Sequence, residues 1–283
     1  MVEQAFDLSR FGAGGERYTP WVLKPDQRPE LLEELRLRKS EDLVILIGPY
    51  KEYGFLLREL IPHHSVQGVL DGEDFLITFC GACNAGVHMI PVIDGVTHHF
   101  RVIGAYNGQA VFEDDETRSI WNHVTGVCMH GPLEGRRLVV KALRMSTAAK
   151  EMIENPNLPV FVSEQTLGSL IQVFAVRKLL GCFQNWLPRR FLRTMTEVDG
   201  RLPKLTMGLV VKVDTEIRFY AFSDIFDGMS DILGSETLTF STDPVPQVVD
   251  HNGGRPFQML MRWYAFVLTY PEGSLFKPPG GKI

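Results

Sequence analysis

Short apolar runs separated by turn dipeptides constrain this chain more than any other feature. Leu43-Val44-Ile45-Leu46-Ile47 and Phe75-Leu76-Ile77-Thr78-Phe79 are rich in β-branched and aromatic residues, and Thr97 to Val102 and Ala110-Val111-Phe112 continue the series. Asp71-Gly72, Asp94-Gly95 and Asn107-Gly108 fall between them. The last two are hairpin dipeptides, because Asn and Asp tolerate, and Gly prefers, the positive φ that a tight hairpin turn requires. Residues 43–140 therefore predict a meandering, largely antiparallel sheet. The expected fold class is α+β, predominantly antiparallel β.

A second β run begins at Val210 to Val213 and continues at Thr237 to Phe240. Tyr53 to Leu60 and Arg218 to Ile225 each follow a β-branched strand and precede a turn and another strand. Pro156 reaches Phe161, and Pro271 reaches Phe276, at the same spacing. These parallels predict two unequal, duplicated β-rich halves, 43–163 and 208–276. The expected organisation is an N-terminal arm (1–42), a first half (43–163), a helical connector (164–207) and a shorter second half (208–283). A short helix is expected in the arm from Pro29 to Arg38. In the connector, the apolar positions of Leu167 to Arg193 fall mostly at helical spacing, with Pro188 ending or kinking the helix. That segment predicts a helix packed on the sheet or, given its flanking basic residues and Trp186, one lying on a membrane surface. Arg177 and Lys178 fall mid-span, so it does not predict a transmembrane helix.

At 283 residues and 45% hydrophobic, the chain has room for one large core or two small ones. Its formal net charge of -5 argues against nucleic acid as a partner. Glu3, Asp7, Arg10, Gly12, Gly14 and Gly15 interrupt the first 20 residues, leaving no signal-peptide stretch, so the expected compartment is the cytoplasm. Four cysteines in a chain of this length do not make a disulfide framework, and in a reducing compartment a close pair points to metal or redox chemistry.

The close pair is Cys80-Gly81-Ala82-Cys83, at the end of the apolar run Phe75 to Phe79. Two intervening residues let both thiols face one point. They can ligate one soft or borderline ion such as zinc or copper, cycle between dithiol and disulfide, or simply pack. Asn84-Ala85-Gly86-Val87-His88 does not announce a helix, which disfavours a thioredoxin-type arrangement. A metal requires further ligands, and seven of the eight histidines (His63, His64, His88, His98, His99, His123, His130) lie in this half. Downstream, Tyr106-Asn107-Gly108 and the stretch Asp114 to Asn122 are dense in directional hydrogen-bonding groups beside Trp121; they form either a site or a loop that caps its own turn. Cys128 and Cys182 read as packing residues. Nothing indicates a nucleotide cofactor.

These motifs resemble a bacterial family catalogued as domain of unknown function 3179. The resemblance rests on Tyr53 to Leu57, His63 to Gly68, Ile77-Thr78-Phe79-Cys80-Gly81-Ala82-Cys83, Tyr106-Asn107, Asp114-x-x-Thr117-x-Ser119-x-Trp121 and Gly131-Pro132-Leu133-Glu134-Gly135. It covers about 43–163 and continues weakly over 208–276. Gly81 stands where the family has proline, and Tyr53 where it has arginine. The spacing to Cys80 puts His63, rather than His64, at the family's histidine position. The resemblance implies site residues and no established activity.

Two functional readings follow. In the first, Cys80 and Cys83 are thiolate ligands and His63 is a third ligand or base, with Asn107, Asp114, Thr117 and Trp121 lining the side of a small-molecule substrate, as in an oxidoreductase. In the second, the chain is a binding module without chemistry, and 167–193 docks a membrane surface or protein partner.

Overall fold

The computed structural model describes residues 6–15, 18–163 and 187–278. The chain is mostly β, with five antiparallel-based sheets arranged as the blades of a propeller. Blade 1 is built from Asp42–Ile47, Glu52–Leu56, Arg144–Thr147, Pro159–Phe161 and Glu30–Leu31. Blade 2 holds Ser65–Leu70, Glu73–Cys80, Ala85–Ile90, Val139–Lys141 and Trp21–Val22, and blade 3 runs from Phe100–Tyr106 through Gln109–Asp114 and Ile120–Asn122 to Cys128–His130, with Gly12–Ala13 on its edge. Blade 4 comprises Met207–Val213, Glu216–Ala221, Phe257–Arg262 and Ser274–Leu275, and blade 5 comprises Ser230–Leu233, Glu236–Ser241 and Gln247–Asp250.

The expected turns close hairpins: two within blades 2 and 3, and one, at Asp94-Gly95, in a separate two-stranded ribbon of Val92–Ile93 and Val96–Thr97. Asp71/Gly72, Asp94/Gly95 and Asn107/Gly108 all have positive φ at both positions (53/82, 50/81 and 52/70°), as a tight hairpin whose twist matches its strands requires. Gly108 has a second reason to be glycine. A Cβ there would sit 2.8 Å from the Tyr264 ring, so blade 4 could not approach.

Each seam between blades has its own chemistry. Blades 1 and 2 share an apolar cluster that includes Val44, Phe55, Val66, Phe75 and Ile77. Blades 2 and 3 are joined by the buried amide of Gln67, which donates to Phe100 O (3.1 Å) and accepts from Phe100 N (2.9 Å). Between blades 3 and 4, the Tyr264 hydroxyl donates to Gly108 O at 2.8 Å. Blades 4 and 5 bury Leu209, Tyr220, Leu233 and Phe240 together. The ring closes between blades 5 and 1 through a polar seam that includes Lys150 to Asp243 at 2.8 Å.

Blades 1 and 4 have the same connectivity. In each, a hairpin is flanked by a later strand antiparallel to its first member (Arg144–Thr147; Phe257–Arg262). A seven-residue helix follows (Ala148–Glu154; Trp263–Thr269), then a short strand parallel to the hairpin's second member. The shared Pro-to-Phe spacing lies in this last step: Phe161 packs on Tyr53 and Phe276 on Tyr220, with ring centroids 5.9 and 5.1 Å apart.

Two expectations change. Between residues 29 and 38 the arm forms the strand Glu30–Leu31 and a single 3-10 turn, Leu32–Glu34, instead of a helix. Leu32 is drawn into a cluster with Leu43, Ile45 and Leu158, with Leu35 and Leu37 against it, so these leucines fill one blade's flank rather than one helical face. A helical segment joining the halves is not shown. Of the predicted helix 167–193, residues 167–186 lie outside the described residues; beyond them Pro188 is the cap that opens a short helix, Arg189–Leu192. No helix among the described residues is long and apolar enough to cross a membrane.

Candidate metal centre

The cysteine pair is the loop of a hairpin. Cys80 ends one strand of blade 2 and pairs with Ala85, which begins the next. Asn84 takes the left-handed conformation (φ 55°) that lets so short a loop close. Gly81 lies against the helix Leu57–His63, and a Cβ there would come within 3.1 Å of Ile61 Cγ2. The loop thus turns both thiols inward, with Cys80 2% and Cys83 0% exposed. A strand, rather than a helix, follows Cys83, so no helix N-terminus acidifies the pair as it does in thioredoxin-type motifs.

His123 comes from blade 3, one residue past the strand Ile120–Asn122. Asn122 Oδ1 accepts the Val124 and Thr125 N–H groups (2.9 and 3.0 Å), which shapes the turn. Thr78 Oγ1 of blade 2 donates to His123 O at 2.7 Å and holds the turn over the hairpin. His123 Nε2 lies 3.5 Å from Cys83 Sγ. One ligand atom from each of Cys80, Cys83 and His123 falls within 4.8 Å of the other two, and among the described residues no fourth His, Cys, Asp or Glu atom joins them.

Blade 4 reaches the same point from across the ring. The Arg262 N–H donates to Cys83 O at 2.9 Å, and Arg262 Nη1 donates to Leu205 O at 2.8 Å. The residue is 8% exposed, so its charge lies in the interior beside the pair.

The electrostatics are asymmetric. The Cys83 thiol hydrogen-bonds Cys80 and brings it down to about 7 against the opposing effect of burial. Burial pushes Cys83 up, and the Cys80 charge adds to this, while the Arg262 charge opposes it. Burial, reinforced by the charge of His64, lowers His123 to about 3. Its imidazole is therefore neutral at physiological pH, with a lone pair free for a metal.

The other expected site residues are distributed differently. His63 is outside the convergent group: its Nδ1 lies 2.7 Å from Thr19 O and its ring lies against Trp21. His64 is likewise outside that group. It ends the helix in a left-handed conformation (φ 60°), its Nδ1 is 3.0 Å from Phe79 O, and burial lowers it to about 4, leaving it neutral at physiological pH. Asp114, fully buried, accepts from Thr117 N (2.6 Å), Thr117 Oγ1 (2.8 Å) and Trp121 Nε1 (2.7 Å), and it faces His98 Nδ1 at 3.2 Å. Asp114, Thr117 and Trp121 thus form one network that ties blade 3 to its own turn. Asn107 stands apart, accepting from Arg10 at 3.0 Å, and lines a cleft of about 360 Å³ between blades 3 and 4 with Tyr106, Asn122 and Cys128. Cys128 is a buried thiol that hydrogen-bonds His130 O at 3.4 Å, and Cys182 lies outside the described residues.

The residues missed as site members are His123 and Arg262. His123 carried a signal, since it stands two residues beyond Trp121 at the end of the motif-rich stretch. Arg262 carried none.

The fold and the centre define a bladed β protein with a buried thiol–imidazole group at the meeting point of three blades. The chain belongs to the family described as protein of unknown function DUF3179, whose profile matches residues 20–171, more than half of its length. No curated protein and no solved structure matches it.

Proposed function

We propose that this is a metal-dependent protein whose Cys80, Cys83 and His123 hold one soft or borderline transition ion, zinc or copper. The observation that carries the reading is the convergence of three ligand atoms from two blades within 4.8 Å. Thiolate and imidazole are the donors such ions select. Burial supports metal over exchange with a protein disulfide, because a bulky partner cannot reach thiols exposed by only 2% and 0%. An oxidoreductase role for the bound ion, acting on a small molecule, is the activity this donor set suits best. We read the shared connectivity of blades 1 and 4 as a duplication whose first copy alone acquired the centre.

A second reading has its own observation. The acidified Cys80 beside a protonated Cys83 is the asymmetry of a redox dithiol. Elemental analysis of purified protein, together with reaction of its thiols with a chromogenic disulfide before and after chelation, separates the two. About one ion per chain, and thiols that react only after chelation, are expected. Metal-free protein with promptly reactive thiols would replace the metal reading by the redox one.

A further inference from the structure

The centre also limits which ion it can hold, granted the reading above that it holds one. Cys80, Cys83 and His123 are 2%, 0% and 1% exposed. Cys80 and Cys83 belong to one buried cluster with Val87, Phe112 and Met261, and the Phe112 ring lies alongside His123 with centroids 6.3 Å apart. Among the described residues no fourth side-chain ligand is in range. Zinc is almost always four-coordinate, and where the protein supplies three ligands a water or substrate completes the set. That fourth ligand needs room and access from water, and burial of all three residues to 2% or less leaves water little access to the site. A monovalent soft ion has no such demand, and two thiolates with one imidazole satisfy copper(I) in a plane.

Charge favours the same ion. Two thiolates and a monovalent ion leave one net negative charge in the interior, whereas two thiolates and zinc leave none. The buried Arg262, whose backbone is hydrogen-bonded to Cys83 O at 2.9 Å, supplies a cation next to that loop. A low-dielectric interior makes such an arrangement count for more than it would in water.

We propose that the centre is a three-coordinate copper(I) site formed by Cys80 Sγ, Cys83 Sγ and His123 Nε2. The test loads the metal-free full chain with copper(I) under anaerobic conditions, in competition with a chromophoric copper(I) chelator, and in parallel with zinc alone. X-ray absorption then reads the first shell. The expected result is one copper per chain with two sulfurs and one nitrogen, and copper(I) bound in preference to zinc. His123→Gln removes the nitrogen from the shell and weakens copper binding at least tenfold, in protein whose circular dichroism is unchanged. Cys128→Ser alters neither. A four-ligand shell around either ion, or a two-sulfur copper shell indifferent to His123→Gln, overturns the three-coordinate proposal while leaving the metal centre standing. If neither ion binds stoichiometrically, the metal reading itself falls, and this inference with it.

Discussion

Blades 1 and 4 share a connectivity and treat the same positions in opposite ways. Arg144 of blade 1 pairs across the sheet with Ile45, and Met259 of blade 4 pairs with Val210 in the same register. Glu151 is the fourth residue of the first helix and Phe266 the fourth of the second. Glu52 and Ile217 hold matching places in their hairpins. Blade 1 thus carries an ionic triad, in which Arg144 donates to Glu151 Oε2 at 3.0 Å and to Glu52 Oε1 at 3.2 Å. Blade 4 carries Met259, Phe266 and Ile217, all facing the main apolar cluster. The difference lies in what each blade faces. The blade 1 triad borders the polar seam with blade 5, whereas blade 4 turns the same positions toward blades 2 and 3. A backbone plan alone does not choose between charge and hydrocarbon; the neighbour across the seam does.

The largest effect should come from breaking the triad. Arg144→Met leaves Glu151, whose side chain is 1% exposed, without its cation, and should cost about 3–5 kcal/mol in denaturant unfolding. Replacing the whole triad with the blade 4 residues (Arg144→Met, Glu151→Phe, Glu52→Ile) should recover most of that loss. If the triple variant is as unstable as the single one, the two blades are not energetically interchangeable and the comparison fails.

Acid should separate a paired buried group from an unpaired one. Arg144 holds the Glu151 carboxyl below its ordinary 4.5, against burial that pushes it up. Its contribution is present above 4.5 and is lost only as pH falls below that value. Burial, aided by the Lys141 charge, lowers His88 from 6.5 to about 4, and its Nε2 has no hydrogen-bond partner. A base with a depressed pKa gives up stability earlier, as pH falls from 6.5 toward 4, by about 3 kcal/mol over the whole window. His88→Gln should make the fall between those two pH values shallower, leaving the share due to His64 and His123, which burial also depresses. An unchanged curve would show that His88 is not buried neutral in solution.

The smallest effect concerns the helix starts. Thr147 caps the first helix, its hydroxyl accepting the Lys150 N–H, while Arg262 at the matching place makes no side-chain cap. Thr147→Ala should cost about 1 kcal/mol. Arg262→Thr offers the second helix the same cap but removes the cation beside Cys83, and metal affinity should drop roughly tenfold, as for other groups that support a ligand from behind. Unchanged affinity in that variant would reduce Arg262 to a packing residue.

These positions separate what is local in the chain from what is not. The gapless 144–161 and 259–276 segments were visible as a Pro-to-Phe spacing, because a turn and the aromatic that follows it are local. The triad was not visible, because nothing in Glu52 or Arg144 says which blade lies opposite. The histidines were visible as a crowd around the cysteine pair, but choosing among them required knowing which turn comes to rest over the hairpin. Family spacing pointed to His63, whereas the helix Leu57–His63 carries that ring to Thr19 O and Trp21.

What the sequence by itself determined is the part governed by short range: the strands, because β-branched and aromatic runs resist the helix; the hairpin turns, because Asn, Asp and Gly alone enter positive φ cheaply; and the thiol pair, because two residues of spacing close a loop on one point. Only the tertiary structure decided the rest. Closing five blades into a ring brought His123 over Cys83 and set Arg262 beneath the loop, and it buried Asp114 among donors of its own turn, because contacts across a ring depend on which side chains can share a dry interior and not on which residues follow one another along the chain.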